Sequence, residues 1–345
     1  MGTSGQALLL PERINTGPWV AGYSRERLRE YIGRTRVVLP ICSLGTPATE
    51  LAALAPLVLP PLYHEALDQD LKAALLAQIG RCFPFFDGTR DRAAFRGRLE
   101  VEELPPQRRA PPVQSPAILA LGVDTTVEQH GPHLPLGTDT IQTYAVLQRL
   151  AGEIDGLALG PPLDYGHLTW GLPFGFSVDL TPSLLGRYVQ RFLRALIDWF
   201  DPAALYVADV HGSLVHRQTI AAAVRESGMA RADFRWLHDP LVEFAGQRGD
   251  AHAGAVETLL VAHIAPALVD AGLWPARVDE LVAGQMTPNE AVALSADLRQ
   301  FIARVESHPL NGIVGELRNA ATLDATLMMN RMLDVARADL RGLRA

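Results

Sequence analysis

The chain has 345 residues, 48% of them hydrophobic and 20% charged, with a formal net charge of −7. That is a globular composition, long enough for one large domain or two ordinary ones, and without a basic tract it gives nucleic acid no footprint. No segment has the 18 or so uninterrupted apolar residues of a membrane span, and two cysteines, Cys42 and Cys82, are too few for a disulfide framework, so a cytoplasmic protein is expected.

Taken in order, residues 1–25 carry glycine and proline without periodicity and read as an arm or irregular cap. Residues 24–32 read as a short helix and 36–44 (RVVLPICSL) as a strand. Residues 48–57 look helical, and Pro60 and Pro61 then break regular structure. Leu67, Leu71, Leu75 and Ile79 follow a four-residue step, which predicts an amphipathic helix over 66–79. A turn-rich loop is expected at 84–90. Five prolines between 104 and 116 mark a linker, which divides the chain into an accessory region, 1–110, readable as a lid, an oligomer contact or a degenerate repeat, and a main domain, 111–345.

Beyond the linker the pattern alternates as in an α/β domain with a mostly parallel sheet. Strands are predicted at 117–123, 157–160, 203–210 and 234–237. Helices are predicted at 140–153, 184–200 with Ser183 as N-cap, and 214–226. The loop 165–181 is too long for a mere connection.

Three clusters in this half carry chemistry. The first, GVDTTVEQHGPHLPLGTD (122–139), puts Glu128, His130, His133 and Asp139 in a loop at a strand end. Glu128 and His130, two apart, share a face if the chain is extended, and carboxylates mixed with imidazole suit zinc or manganese rather than calcium. In the second, His211 ends the most apolar strand, where α/β sheets bind ligands, with Asp209 and His216 beside it. In the third, GDAHAGAVETL (249–259), His252 precedes Glu257 at the start of an apolar helix. Each cluster also has a plain structural reading: solvated acids, turn or capping histidines, and a carboxylate complementing a helix dipole. Together they supply three carboxylates (Glu128, Asp139, Glu257) and two imidazoles (His130, His211), a two-metal count, with His252 left over as an acid–base group.

VEQHGPHLPLGTD and DAHAGAVETL resemble the two signatures of the creatininase (creatinine amidohydrolase) family, in the same order and spacing. The resemblance covers the chain from about residue 116 to its C-terminal region. It implies a three-layer α/β/α domain, two divalent ions (zinc or manganese, with iron as a further option) and a homohexamer. It also implies one metal on Glu128, Asp139 and His211, the other on His130, Asp139 and Glu257, and His252 as the catalytic histidine. A hydroxide bridging the metals would attack a carbonyl carbon. Ser213 stands where creatininase itself has a ligand glutamate, so that carboxylate role moves to Glu257. Arg248 stands where creatininase has a tryptophan, and the 110-residue leader has no counterpart in ordinary members. These departures argue against creatinine. Arg248, His216, Trp170 and His167 become candidate substrate contacts, each equally readable as a surface or core residue. They suggest a polar, Arg- and His-lined pocket for a hydroxylated or acidic small molecule. The expected activity is hydrolysis of a small cyclic amide. The alternatives are ring-opening C–C hydrolysis of a cyclic keto-sugar or inosose, and a metal-binding scaffold or sensor without turnover.

Overall fold

The computed structural model describes residues 18–32, 35–82, 99–168, 171–246, 250–308, 310–318 and 320–344. The arm over 1–17, the loop over 84–90, Trp170 and Arg248 lie outside the described residues.

Helix α1 (Arg25–Ile32) leads into β1 (Val37–Cys42), which is buried along its whole length. Helix α2 (Ala48–Ala52) ends well short of residue 57. Leu57–Val58 instead forms β2 and Leu62–Tyr63 forms β3. Both pair in parallel with β1 (Val37 with Leu57, Ile41 with Leu62). Pro60 and Pro61 thus interrupt a strand, since neither can donate to a ladder. Helix α3 (Gln69–Cys82) begins later than its periodicity suggests, because residues 64–66 make a separate 3-10 turn.

Strand β4 (Leu99–Glu103) pairs with the opposite side of β1. Its sequence, LEVEE, carries only a short apolar–acidic alternation, Leu99 and Val101 against Glu100 and Glu102. It is an exposed edge strand whose Glu100 and Glu102 pair with Arg36 at 2.8 and 3.8 Å, and charge on an edge deters pairing with other chains.

The second sheet follows the linker. It comprises β5 (Ile118–Gly122), β6 (Leu157–Leu159), β7 (Leu205–Asp209) and β8 (Ala232–Trp236), all parallel in the order β6-β5-β7-β8. Its helices are α4 (Thr138–Glu153), α5 (Pro182–Phe200), α6 (Leu214–Arg225), α7 (Val242–Gly246), α8 (Ala255–Ile264), α9 (Val278–Ala283), α10 (Pro288–Ser295), α11 (Leu298–Ser307) and α12 (Ala325–Arg344). Helix α5 is capped by Thr181, whose hydroxyl accepts from Leu184 N–H, and not by Ser183. Pro182 at the first helical position fixes the start two residues earlier than the apolar pattern suggests.

The sheet is covered on both faces, and residue alternation decides which side chain goes where. Leu119, Leu121 and Val207 pack towards α5 and α6 with Phe192, Leu196 and Ile220. Ile118, Ala120, Tyr206 and Ala208 pack the other way, with Leu147 of α4, Leu260 of α8 and Met332 of α12. The result is a three-layer α/β/α arrangement. The first sheet shares the α5 side of this core: Val38, Leu39 and Leu75 belong to the same cluster, and Tyr63 stacks on Phe192 with centroids 5.7 Å apart. Cys42 and Cys82 are buried free thiols. Among the described residues no helix is long and apolar enough to cross a membrane.

Candidate metal centre

The carboxyl end of β5 runs into the first motif. Residues 126 to 137 stay in loop form, but Asp139 lies in the first turn of α4, with Gly137 as its N-cap. The loop therefore closes two residues earlier than the motif's glycine and proline content implies. An acid in the first turn complements the helix dipole, and here it also points into the site. His211 follows the end of β7, and Glu257 lies in the first turn of α8. Glu128, His130, Asp139, His211, His252 and Glu257 are all buried.

The hydrogen bonds of the three imidazoles fix how each ring faces. His130 Nδ1 donates to the carbonyl of Glu128 at 3.1 Å, so Nε2 faces Asp139 Oδ1 at 3.2 Å and Glu257 Oε2 at 3.9 Å. His211 Nε2 donates to the carbonyl of His167 at 3.0 Å, so Nδ1 faces Glu128 Oε2 at 3.1 Å and Asp139 Oδ2 at 3.2 Å. His252 Nε2 donates to the carbonyl of Gln129 at 2.8 Å, and Nδ1 faces Glu128 Oε1 at 4.0 Å. A carbonyl can only accept, so each outer nitrogen carries a proton and each inner nitrogen is left to present a lone pair. Lone pairs facing carboxylates at about 3 Å repel unless a cation or a proton lies between them. Outer nitrogens anchored on carbonyls, with inner nitrogens converging on carboxylates, is the arrangement of metal-holding histidines.

Protons carry the charge when no cation does. Burial disfavours a charged His130, but Asp139, Glu257 and Glu128 overcome it and raise the ring to about 9. Burial likewise opposes charge on His211, which Glu128 and Asp139 nonetheless hold well above the ordinary value. Burial works to raise Asp139, yet His130 and His211 keep it well below the carboxylate range. Glu257 is raised by burial and by Asp139, with His130 opposing. His252 is lowered to about 4, by burial first and His130 second. Ligand atoms of Glu128, His130 and Asp139 lie within 4.8 Å of one another, as do those of His130, His252 and Glu257. Three buried carboxylates among imidazoles therefore fit divalent cations by donor type and by convergence.

Neighbouring groups hold the set in place. Thr125 Oγ1 donates to Glu128 Oε2 at 2.6 Å and also meets Asp139 Oδ2. Glu257 Oε2 accepts from Ala253 N–H at 2.5 Å, and Ala253 holds a left-handed backbone at φ 54°, a cost that persists only where the surroundings impose it. Gly254 is required because a Cβ there would overlap the Asp250 carboxylate, which accepts from Val256 N–H and so caps α8. Gly166 is similarly confined, with Thr125 and His216 where its Cβ would stand. His133 bonds Thr258 at 2.8 Å and ties the first motif to α8.

The expected substrate contacts fare differently. His216 is fully buried: Nδ1 accepts from His167 N–H at 3.0 Å, and Nε2 donates to the Val123 carbonyl at 3.1 Å. Both nitrogens are used inside the protein, so His216 holds the backbone N–H of His167, the residue whose carbonyl anchors His211. His167 lends its carbonyl to His211, and its side chain bonds Asp179 at 3.0 Å. The loop 165–181 packs on the first motif through Ser177, which accepts from Gln129 N–H, and through Val178, whose N–H donates to the Val127 carbonyl.

A pocket of about 530 Å³ opens onto Glu128, His211, His252 and Glu257. Its walls are Val210, Leu214, Val215, Trp236, Leu241 and Val242, with His238 beside them. Of the expected Arg- and His-lined pocket, His211, His238 and His252 are in place and Arg248 lies outside the described residues; the remaining walls are largely apolar, because the turns after β7 and β8 bring aliphatic and indole side chains together. Trp236 and His238 went unnoticed in the sequence, although their place at a strand's carboxyl end was a usable signal.

A family model described as creatinine amidohydrolase matches residues 107–337. The mycofactocin precursor peptide peptidase of Mycobacterium ulcerans is 31% identical over 217 residues, covering 61% of this chain and 79% of that protein. A solved putative creatinine amidohydrolase from Bacteroides fragilis is 15% identical, with TM-score 0.46, covering 67% of this chain and 91% of that one. A solved manganese form of creatininase is 18% identical, with TM-score 0.44, covering 65% and 91%.

Proposed function

The chain belongs to the creatininase family, and from that premise we propose that it is a metal-dependent hydrolase of amide C–N bonds. The observation that carries this reading is the convergence of Glu128, Asp139 and Glu257 with imidazole nitrogens whose far sides are anchored on carbonyls. Glu128, Asp139 and His211 would hold one divalent cation, and His130, Asp139 and Glu257 the other, with Asp139 shared. Zinc and manganese both suit this donor set. Bound there, such cations would activate a water and polarise a substrate carbonyl.

The chain's own groups do the rest. His252, neutral near pH 7, presents Nδ1 to the pocket and can take a proton from the attacking water and return it to the leaving nitrogen. The carbonyl of Gln129 keeps that ring turned inward. The apolar walls limit water around the reacting carbonyl. The relatives' name, a precursor peptide peptidase, supports a peptide amide in preference to a small ring.

Elemental analysis of protein purified without added metal, paired with hydrolysis of a peptide library, tests this. We expect zinc or manganese in the wild type and none in Asp139→Ala. His252→Ala should keep its metal and lose about 10²- to 10⁴-fold in rate. A folded wild-type chain that takes up neither metal would overturn the reading and leave a binding module. Loss of metal in His252→Ala would make that residue a ligand rather than an acid–base group.

A further inference from the structure

The pocket is polar at its floor and apolar above it. Leu214 and Val215 open α6 on one side, while Trp236, Leu241 and Val242 stand among the other walls. Leu214 is 58% exposed, Val215 42% and Val242 50%. A single exposed aliphatic residue is ordinary, but three around one concavity form a patch of the kind that marks a binding site. Trp236 is held in position: its Nε1–H donates to the Val210 carbonyl at 3.0 Å, and the Arg217 guanidinium lies 3.9 Å from its ring centroid. No Lys or Arg lines the pocket among the described residues. About 530 Å³ lies within the roughly 300–1,000 Å³ typical of ligand pockets, well beyond the needs of one small ring.

We propose that this space is a subsite for an apolar side chain, aliphatic or aromatic, next to the scissile amide of a peptide-like substrate. The proposal rests on the hydrolase reading and adds what the enzyme selects. A substrate seated with its amide over the carboxylates has its neighbouring side chain against Leu214, Val242 and Trp236. Burial of that side chain covers the rim and draws water away from the reacting carbonyl. An acidic or hydroxylated group there would lose its hydration and, among the described lining residues, meet no Lys or Arg.

The test is calorimetric binding of hydroxamates to the full chain loaded with zinc or manganese, since a hydroxamate needs the metal but no turnover. Acetohydroxamate serves as the reference. We expect 4-methylpentanoyl and 3-phenylpropanoyl hydroxamates to bind roughly ten- to a hundredfold more tightly, as burial of one apolar side chain allows, and a succinyl hydroxamate to gain nothing. Val242→Asp and Leu214→Asp should cut that ratio by about tenfold with metal content unchanged. Equal binding of all four, or a preference for the succinyl compound, would overturn the subsite alone. No binding by any of them to the metal-loaded chain would overturn the hydrolase reading and the subsite with it. If Val242→Asp changes the oligomeric state and leaves the ratio intact, the rim is a contact between copies and the proposal fails.

Discussion

Thr125 shows what a single side chain does for the candidate metal centre. Its hydroxyl lies between Glu128 and Asp139, two carboxylates that would otherwise be oriented by the imidazoles alone. Thr125→Val keeps the shape and removes the hydroxyl. Groups that orient metal-holding side chains are typically worth 10- to 100-fold in metal affinity, so chelator competition should show a loss of that size with the midpoint of the metal-free chain little changed. An unchanged metal affinity would mean that the carboxylates need no such tether. The sequence displayed the candidate ligands at this scale because a stretch carrying Glu128, His130 and Asp139 has a readable chemistry. It did not display Thr125 or His216 as supports, because a hydroxyl's or imidazole's partner is set by what folds against it.

At the scale of the element, α5 is the sharpest case. The apolar period fixes where a helix must lie, but the cap is chosen by backbone geometry. Thr181 has the extended backbone of an N-cap, at φ −62° and ψ 150°, and Pro182 follows it. Thr181→Ala should therefore cost about 1 kcal/mol, and Ser183→Ala, inside the first turn, only a few tenths. Denaturant titration of both variants reads this directly, and equal losses would contradict the cap assignment. Strand β4 is the opposite case: its acidic, exposed sequence hides a strand that the ladder with β1 alone brings out.

For the molecule as a whole, the described residues before the linker share a core with the rest. The carbonyls of Ala21 and Tyr23 accept from Gly137 and Leu136 N–H at 2.8 and 2.9 Å, immediately before Asp139. The Tyr165 hydroxyl donates to the Pro60 carbonyl at 2.6 Å. A chain cut to residues 111–345 would expose the α5 face that Val38, Leu39 and Tyr63 now cover. We predict that it is insoluble, and that removal of residues 1–24 alone leaves a folded protein with weakened metal binding, read by thermal midpoint and elemental analysis. A truncated chain that folds and holds metal as the full one does would make the region a detachable module.

The sequence by itself determined the α/β alternation, the buried parallel strands and the family to which the chain belongs, because hydrophobic period and motif spacing are local properties. It also brought the six buried acid and imidazole residues into view as candidates. Tertiary structure alone decided that they converge, which nitrogen of each ring faces inward, and that His216 is spent on the protein's own backbone. It also decided that apolar walls stand above the pocket's polar floor and that Ala21 and Tyr23 brace the first motif. Those outcomes depend on residues far apart in the chain, such as Tyr23 against Leu136 and Leu214 near Trp236, and no local pattern records such pairings.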